Sequence, residues 1–279
     1  MELIVQPDDG IGPLVEAVKA AEKRVDILIF RFDRDGLEKA LEDAVGRGVA
    51  VRAMIAHTNR GGEGRLRKLE LRLLERGVTV TRTADDFIRY HGKMMVVDDR
   101  LFVLGFNYTK TDIEKSRSFG LVTKDKVLVA AAEALYDADS TRQPFTPSCE
   151  DDFVVSPECS RVALTRFIKD AEKQILIYDE KLSDRMLLRL LQSKAKNGLD
   201  VRVIGKVGKG AQDVKSVRLK DRRLHVRAII VDGKAVSIGS QSLRKLELDS
   251  RREIALICRV GAVAKRVAQV FELDWEKSQ

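Results

Sequence analysis

The chain has 279 residues, of which 44% are hydrophobic and 34% are charged, and its formal net charge is +8. No apolar run approaches the roughly 20 residues that a membrane-spanning helix requires, so the sequence predicts no such helix. The three cysteines are odd in number and show no CxxC spacing, which argues against a disulfide framework and against a structural zinc site.

Helical and strand patterns alternate along both halves of the chain. In the first half they predict a helix at 11–18, a strand at 25–32, a helix at 37–45 and a strand at 49–55. In the second half they predict a helix at 162–173, a strand at 175–178, a helix at 186–196 and a strand at 201–204. A β-hairpin follows in each half, with turns at Asp98-Asp-Arg100 and at Asp232-Gly-Lys234. This alternation is typical of βαβ units in a mainly parallel sheet.

The second half repeats the first. Ala21-Glu-Lys23 recurs as Ala171-Glu-Lys173, 150 residues later. The offset then falls to 134, at which His91 matches His225, so the second copy lacks 16 residues before its histidine. Two prolines interrupt the pattern near 141–152, which indicates a linker. We therefore expect two units, residues 1–145 and residues 146–279.

Each repeat contains a histidine followed by a cation two residues later, as His91-Gly-Lys93 and His225-Val-Arg227. On a strand, the histidine and the cation share one face. Phosphoryl transfer requires a nucleophile, a proton donor for the leaving group and positive charge around the phosphate. If the halves pack about a pseudo-twofold axis, the two motifs meet in one pocket, where one imidazole attacks phosphorus and the other protonates the departing oxygen.

Other residues of the repeat complete this hypothetical site. Asn107 and either Ser240 or Ser242 are predicted to help Lys93 and Arg227 hold the phosphate, and Ser118 is also predicted to contact the substrate. Asp98 and Asp232 lie beside the hairpin turns, in the opposite strand phase, and are predicted to be structural. The chemistry needs no metal, and the sequence contains no obvious cluster of metal ligands.

These motifs resemble the signature of the phospholipase D superfamily, which is HxK, four residues, Asp, six residues, Gly, a small residue, any residue and Asn. Residues 91–107 and 225–242 follow that pattern, and Glu253 resembles the acidic residue that orients an imidazole in the family. The resemblance covers essentially the whole chain. It implies an α/β fold of two pseudo-symmetric α/β/α halves that share one site as an internal pseudo-dimer. It also implies a metal-independent, two-step reaction through a phosphohistidine, without a cofactor.

The sequence departs from the signature in both copies. The first motif is one residue short at Gly105-Phe-Asn107, and the second has Arg227 for lysine and Ser242 for asparagine. Arginine binds phosphate with a planar fork and is bulkier than an ammonium. A relative that binds phosphate without catalysis therefore remains one alternative.

The two histidines have unequal predicted partners. The position that matches Glu253 is Ser118, although Arg117 can instead be matched to Arg251. We therefore expect Glu253 to orient His225, and we expect His91 to have at most a serine as its orienting partner. In the family the N-terminal histidine is usually the nucleophile, so His91 is assigned that role and His225 the role of acid.

Two glycine-rich basic loops, residues 57–65 and 206–210, follow equivalent strands. The carboxyl ends of parallel strands form the ligand crevice of an open sheet. Arg60, Lys206 and Lys209 are therefore predicted to bind substrate at the rim of the pocket. His57 is interpreted as an ordinary loop residue.

The charge is concentrated in the second half, because residues 1–150 carry −1 and residues 151–279 carry +9. Nine basic and two acidic residues lie within 201–227. A positive surface concentrates anionic substrates, and it suits nucleic acid and lipid headgroups alike. Only 5% of the residues are aromatic, but two motifs in one chain resemble the lipid-acting members, so a phospholipid substrate is preferred over a nuclease substrate.

The sequence predicts that the chain binds a phosphodiester substrate, either a phospholipid headgroup or a nucleic acid. It predicts no stable membrane anchor. A monomer is expected to hold a complete site. The N-terminal segment lacks the basic region and apolar stretch of a signal peptide, which favours a cytoplasmic protein that can act at a membrane surface.

Overall fold

The computed structural model describes residues 1–59 and 61–279, which form two similar halves. The first half contains β1 Glu2–Gln6, α1 Gly12–Lys19, β2 Arg24–Ile29, α2 Asp35–Gly46, β3 Ala50–Ile55, α3 Glu63–Glu75, β4 Thr79–Arg82, β5 Arg89–Tyr90, β6 Met94–Val97, β7 Arg100–Leu104, α4 Lys110–Glu114, β8 Ser116–Thr123 and α5 Lys126–Ser140. The second half contains β9 Phe153–Ser156, α6 Ser160–Lys169, β10 Gln174–Leu182, α7 Arg185–Lys196, β11 Asp200–Val207, β12 Lys215–Val217, β13 Arg223–Leu224, β14 Arg227–Val231, β15 Ala235–Gly239, α8 Lys245–Asp249, β16 Arg251–Cys258 and α9 Gly261–Glu276.

Each half is built on one mixed sheet. The strand order is β1-β8-β7-β6-β2-β3-β4 in the first sheet and β12-β11-β10-β14-β15-β16 in the second, with β9 beside β16. Helices connect β2 to β3 and β3 to β4, so those pairs are parallel, whereas the tight turns of the hairpins make their strands antiparallel. The predicted α/β fold with mixed sheets is confirmed. The expectation of mainly parallel sheets is corrected, because antiparallel pairs outnumber parallel pairs in both.

Two very short strands cross between the halves. β5 of the first half pairs in parallel with β16 of the second, and β13 of the second half pairs in parallel with β8 of the first. Each of these strands is two residues long and directly precedes a histidine. The crossing therefore attaches each histidine to the sheet of the opposite half.

A shared apolar core joins the halves. It contains buried residues from both sheets together with one face of α5 and one face of α9. Separate cores lie beneath the outer helices, with α1, α2 and α3 on the first sheet and α6 and α7 on the second. The arrangement agrees with an internal pseudo-dimer, while a boundary at residue 145 stays a prediction.

Two buried ion pairs reinforce the junction between the halves. Arg117 on β8 donates to Asp274 on α9 at 2.7 Å, and Arg252 on β16 lies 3.0 Å from Asp139 on α5. The pairs are equivalent in the repeat, and each joins residues from different halves. Removing one partner would leave a buried charge without its counter-charge.

The hairpin aspartates connect each hairpin to the start of a central strand. Asp98 accepts backbone hydrogen bonds from Glu22, Lys23 and Arg24 at 2.9–3.0 Å. Asp232 accepts the equivalent bonds from residues 172–174 at 2.8–3.0 Å. Both aspartates have a positive φ, which the tight turn requires.

A disulfide joins Cys149 in the linker to Cys159 at the start of α6, so the expectation against a disulfide is wrong. The chain turns back through β9 and brings the two Cα atoms to 5.0 Å, a proximity that cysteine spacing does not reveal. Cys258 is free and buried. Among the helices of residues 1–59 and 61–279, none is both long enough and apolar enough to cross a membrane.

Candidate active site

The two histidines are fixed by backbone hydrogen bonds to the opposite half. The amide of His91 donates to the carbonyl of Arg252 at 2.8 Å, and the amide of His225 donates to the carbonyl of Arg117 at 3.2 Å. Both residues are less than 10% exposed, and both line one central cavity. The structure therefore brings together the two motifs that lie 134 residues apart in the sequence.

The central cavity has a volume of about 230 Å³ and a strongly positive wall. Among the described residues, eight lysines and arginines line it, against two glutamates, Glu180 and Glu247. The cationic residues are Arg31, Arg89, Lys181, Lys206, Arg223, Arg227, Arg244 and Arg251. Low-dielectric walls strengthen the field of these charges, so the cavity favours an anion.

His91 is oriented by Glu253. Its Nδ1 lies 2.9 Å from Oε2 of this fully buried carboxylate, and the Phe30 ring packs edge-on against the imidazole with centroids 4.6 Å apart. Burial raises the pKa of Glu253, and the charge of Lys93 opposes this shift. In its ionised form the carboxylate only accepts hydrogen bonds, so Nδ1 then carries the proton and Nε2 keeps its lone pair. Nε2 forms no hydrogen bond with any described residue. Burial, with Lys93 and Arg227 nearby, holds the pKa of His91 well below its usual value, which keeps the imidazole neutral.

His225 is held by a different carboxylate. Its Nε2 lies 3.0 Å from Oδ2 of Asp112 and 3.2 Å from Nδ2 of Asn107, and Nη2 of Arg223 lies 3.3 Å from its Nδ1. A guanidinium only donates, so Nδ1 accepts and the proton is on Nε2, directed at Asp112. Burial lowers the pKa of His225 to about 4, although Asp112 opposes this shift. Burial acts to raise the pKa of Asp112, but hydrogen bonds from His225 and Asn107 outweigh it and place that pKa below its usual range.

The expected pairing of Glu253 with His225 is wrong, because Glu253 contacts His91. The cause is that β5 and β13 each pair with the sheet of the opposite half, an arrangement that we call the strand exchange. β5 lies beside β16 in parallel register, with Arg89 opposite Arg251, so the next positions bring His91 to Glu253.

The register of β13 against β8 also decides which residues of the two repeats are equivalent. Arg223 lies opposite Ser116 and Leu224 opposite Arg117, so Ser118 is the counterpart of Glu253 and the alternative match of Arg117 to Arg251 is wrong. Sequence reasoning also missed Asp112. An acidic residue occurs five positions after Asn107 and after Ser242, as Asp112 and as Glu247, and this spacing was the available signal.

Lys93 and Arg227 occupy equivalent buried positions beside the histidines. Lys93 Nζ donates to the carbonyl of His91 at 2.6 Å, and Arg227 Nη1 donates to the carbonyl of His225 at 3.2 Å. Burial, opposed by the charge of Glu253, lowers the pKa of Lys93 to about 7. A bound phosphate would supply the anionic partner that this ammonium needs.

The three predicted serines are buried and do not line the central cavity. Ser242 donates to Asp179, and Ser240 contacts the backbone of Ile254 through bonds of 3.1 and 3.3 Å. Ser118 packs close to Gly105, and its hydroxyl has no partner among the described residues. The predicted phosphate contacts of these serines are therefore absent from the described part of the cavity, because the side chains are used in, or buried within, the sheet junctions.

The predicted rim residues have different positions. Lys206 lies near the end of β11 and lines the cavity, whereas Lys209 is exposed and is not among the lining residues. Arg60 lies outside the described residues. Asn107 does line the cavity, and its Nδ2 donates to Asp112 at 2.6 Å. Within the described part of the chain, no group of three or more histidine, cysteine or acidic side chains is placed to hold a metal ion.

A family model described as cardiolipin synthase, PLD-like domain, matches residues 14–139 and 164–275 of the chain. The two matched segments cover most of both halves and include both histidine motifs. A search among curated proteins finds no match.

Solved structures share the fold of the chain. Polyphosphate kinase from Porphyromonas gingivalis superposes with a TM-score of 0.79 at 18% identity, covering 98% of this chain and 50% of the kinase chain. The chain thus spans half the length of that kinase. Phosphatidylserine synthase from Haemophilus influenzae Rd KW20 superposes with a TM-score of 0.72 at 12% identity, covering 100% of this chain and 86% of the synthase chain. These likenesses support the two-half architecture.

Proposed function

Since the chain belongs to the phospholipase D superfamily, we propose that it is a phosphodiesterase that works through a phosphohistidine on His91. The observation that carries this proposal is the state of the His91 imidazole. Glu253 holds Nδ1 at 2.9 Å, while Nε2 is free of hydrogen bonds to described residues and the ring lines a cationic cavity. A neutral, oriented imidazole with its lone pair directed at an anion site is an activated nucleophile.

In the first step, the lone pair of His91 Nε2 forms a bond to phosphorus and the ester P–O bond breaks. Lys93 and Arg227 bind the non-bridging oxygens and stabilise the charge that develops there. His225 donates a ring proton to the departing oxygen, which leaves as an alcohol.

His225 must therefore be protonated while substrate is bound. Burial in the free site lowers its pKa, but a phosphodiester anion between the imidazoles raises the pKa again because it stabilises the imidazolium. Asp112, 3.0 Å from Nε2, has the same effect and fixes the ring. Asp112 is thus a positioning residue for the acid, as Glu253 is for the nucleophile.

In the second step, His225 accepts a proton from an incoming hydroxyl group, whose oxygen attacks the phosphohistidine. The P–N bond breaks and the electron pair returns to His91 Nε2. Attack by water gives hydrolysis, whereas attack by an alcohol gives transfer to a new ester. We propose that no metal takes part in either step.

A phospholipid is the preferred substrate. The description of the matching family model names a lipid-acting enzyme, and two motifs in one chain favour the same class. A nucleic acid is the second candidate, supported by the cationic residues of 201–227 that reach the cavity, namely Lys206, Arg223 and Arg227. The third is a phosphate-binding protein without activity, suggested by the departures at Arg227 and Ser242.

Covalent labelling with a radioactive phosphodiester tests the mechanism. His91→Asn is expected to abolish the acid-labile label, and His225→Asn is expected to let it accumulate, because the base of the second step is lost. His57→Asn is the matched control, since this third histidine lies in an exposed loop outside the cavity. The opposite pattern for the first two variants would reverse the roles of the two histidines.

A substrate panel in the presence of EDTA tests the remaining proposals. It contains phosphatidylcholine vesicles, single-stranded DNA and bis-p-nitrophenyl phosphate. Turnover of the vesicles without turnover of DNA supports the lipid enzyme, and the reverse supports the nuclease. If phosphate binds and none of the three turns over, the binding protein is correct, and activity only after removal of EDTA would refute metal independence.

A further inference from the structure

A second cavity lies beneath α3 and adjoins the central cavity. This α3 cavity has a volume of about 420 Å³ and is lined by Arg31, Phe32, Asp33, Asn59, Gly61, Arg65, Leu66, Leu69, Thr109, Thr111, Asp112 and Arg223. Arg31 and Arg223 line both cavities, so the two spaces are neighbours. A molecule whose phosphate sits between the histidines therefore has the α3 cavity beside it.

The α3 cavity breaks the symmetry of the repeat. α3 occupies the region where the first half is 16 residues longer than the second. The equivalent connection in the second half, between β11 and β12, contains no helix among the described residues. Among the described residues, α3 therefore has no counterpart in the second half. In the first half, the buried α3 residues Leu66 and Leu69 form part of the cavity wall.

The charge in the α3 cavity is not balanced by its carboxylates. Asp33 accepts a hydrogen bond from the backbone of Lys110 at 2.7 Å, and Asp112 is used by His225 and Arg223. Arg31 and Arg65 form no ion pair with any described carboxylate. Two guanidinium groups in a concave site, with amide and hydroxyl groups beside them, provide the donors that a phosphate group requires.

Arg223 connects the two sites directly. Its guanidinium contacts Asp112, and its Nη2 lies 3.3 Å from Nδ1 of His225, the proposed acid. An anion in the α3 cavity would therefore lie on the side of the residue that protonates the leaving group.

We propose that the α3 cavity binds a second phosphate group of the substrate, held by Arg31, Arg65 and Arg223. The inference rests on the proposed function for the position of the first phosphate. The substrate class is thus a molecule with two phosphate groups, one attacked by His91 and the other anchored beneath α3. Arg65 is the residue specific to the second phosphate, because it lines the α3 cavity and not the central one.

Isothermal titration with inorganic tripolyphosphate and with orthophosphate tests this site without requiring turnover. The wild-type protein is expected to bind tripolyphosphate more tightly than orthophosphate. Arg65→Ala should weaken tripolyphosphate binding about tenfold, the effect of losing one charged hydrogen-bond donor, and should leave the tighter orthophosphate site unchanged. Arg67→Ala, an exposed arginine on α3 outside the cavity, is the matched control for loss of one positive charge.

Equal weakening by Arg65→Ala and Arg67→Ala would overturn the proposal, because it would show a non-specific charge effect. Equal affinity of the wild-type protein for tripolyphosphate and orthophosphate would overturn it as well. A third result would assign the α3 cavity to a free phosphate rather than to the substrate. In that case the wild-type protein binds two orthophosphates, Arg65→Ala binds only one, and tripolyphosphate binds no more tightly than orthophosphate. If the wild-type protein binds tripolyphosphate as expected but forms no covalent phosphohistidine, the proposed function is refuted and the phosphate site of the α3 cavity is not.

Discussion

Lys93 connects the stability of the fold to the charge of the site, and its burial gives a pH-dependent prediction. Its side chain is 1% exposed, and burial lowers its pKa from 10.5 to about 7. The difference corresponds to about 5 kcal/mol by which folding disfavours the ammonium relative to the neutral amine. The unfolded chain regains the ordinary pKa and therefore binds more protons than the native chain between about pH 7 and pH 10.

Because the unfolded state binds more protons in that interval, the free energy of unfolding contributed by Lys93 rises with pH. Below pH 7 the buried Lys93 ammonium lowers the free energy of unfolding by the full amount of about 5 kcal/mol. Between pH 6 and pH 9 the free energy of unfolding regains about 2–3 kcal/mol of this loss. The rest returns only as the pH passes the pKa of Lys93 in the unfolded chain.

Lys93→Met keeps the length of the side chain and removes the charge. Urea unfolding at pH 6 is expected to show a variant that is more stable than the wild type by up to about 5 kcal/mol. At pH 9 that advantage should shrink by about 2–3 kcal/mol. An advantage that is the same at both pH values would refute the reasoning, because it would mean that Lys93 does not titrate differently in the folded state.

The activity should have the opposite pH dependence. Above about pH 7 Lys93 loses the charge that we propose holds the phosphate, so kcat/KM should fall. Lys93→Arg should remove this fall, since a guanidinium stays charged. The equivalent position in the second half is occupied by an arginine, Arg227, which is also buried. A fall that persists in Lys93→Arg would assign the titration to another group.

Three further substitutions test the positioning residues and the junction. Glu253→Gln should slow formation of the phosphohistidine about 10²–10⁴-fold in single-turnover kinetics, because His91 loses its orienting charge; unchanged kinetics would contradict this role. Asp112→Asn should slow cleavage of an alkyl ester more than cleavage of a p-nitrophenyl ester, since only the alkoxide needs a proton from His225; equal slowing would argue against it. Arg252→Ala should lower the free energy of unfolding by about 3–5 kcal/mol in urea titrations, and a loss below about 1 kcal/mol would mean that its buried pair is not stabilising.

The repeat made much of the fold predictable. Helical and strand periodicity placed α1, α2, α6 and α7 and the strands between them, and the hairpins follow from their turns. The mutual position of the histidine motifs followed from pseudo-symmetry, because equivalent elements on two packed halves face one another. The extra length of the first half was visible as a change of offset, although its helix, α3, was not predicted.

The partners of the histidines could not be predicted in the same way. They depend on β5 and β13, which are two residues long, and so short a strand leaves no periodicity to read. Without the exchange, Glu253 is naturally assigned to the histidine of its own half. The disulfide was missed for a related reason, since the proximity of Cys149 and Cys159 depends on how the linker turns.

The strand exchange also explains why the two halves belong in one chain. Each histidine follows a strand added to the opposite sheet, and the carboxylate that contacts it comes from that opposite half, Glu253 from β16 and Asp112 from α4. A separated half would therefore lack both the backbone support and the orienting acid of its own histidine. Within one chain the two positions can also differ. Glu253 faces His91, while its counterpart Ser118 carries no charge and leaves His225 to Asp112. In the proposed mechanism this difference keeps His91 neutral for attack, whereas Asp112 favours protonation of His225 when a phosphodiester is bound.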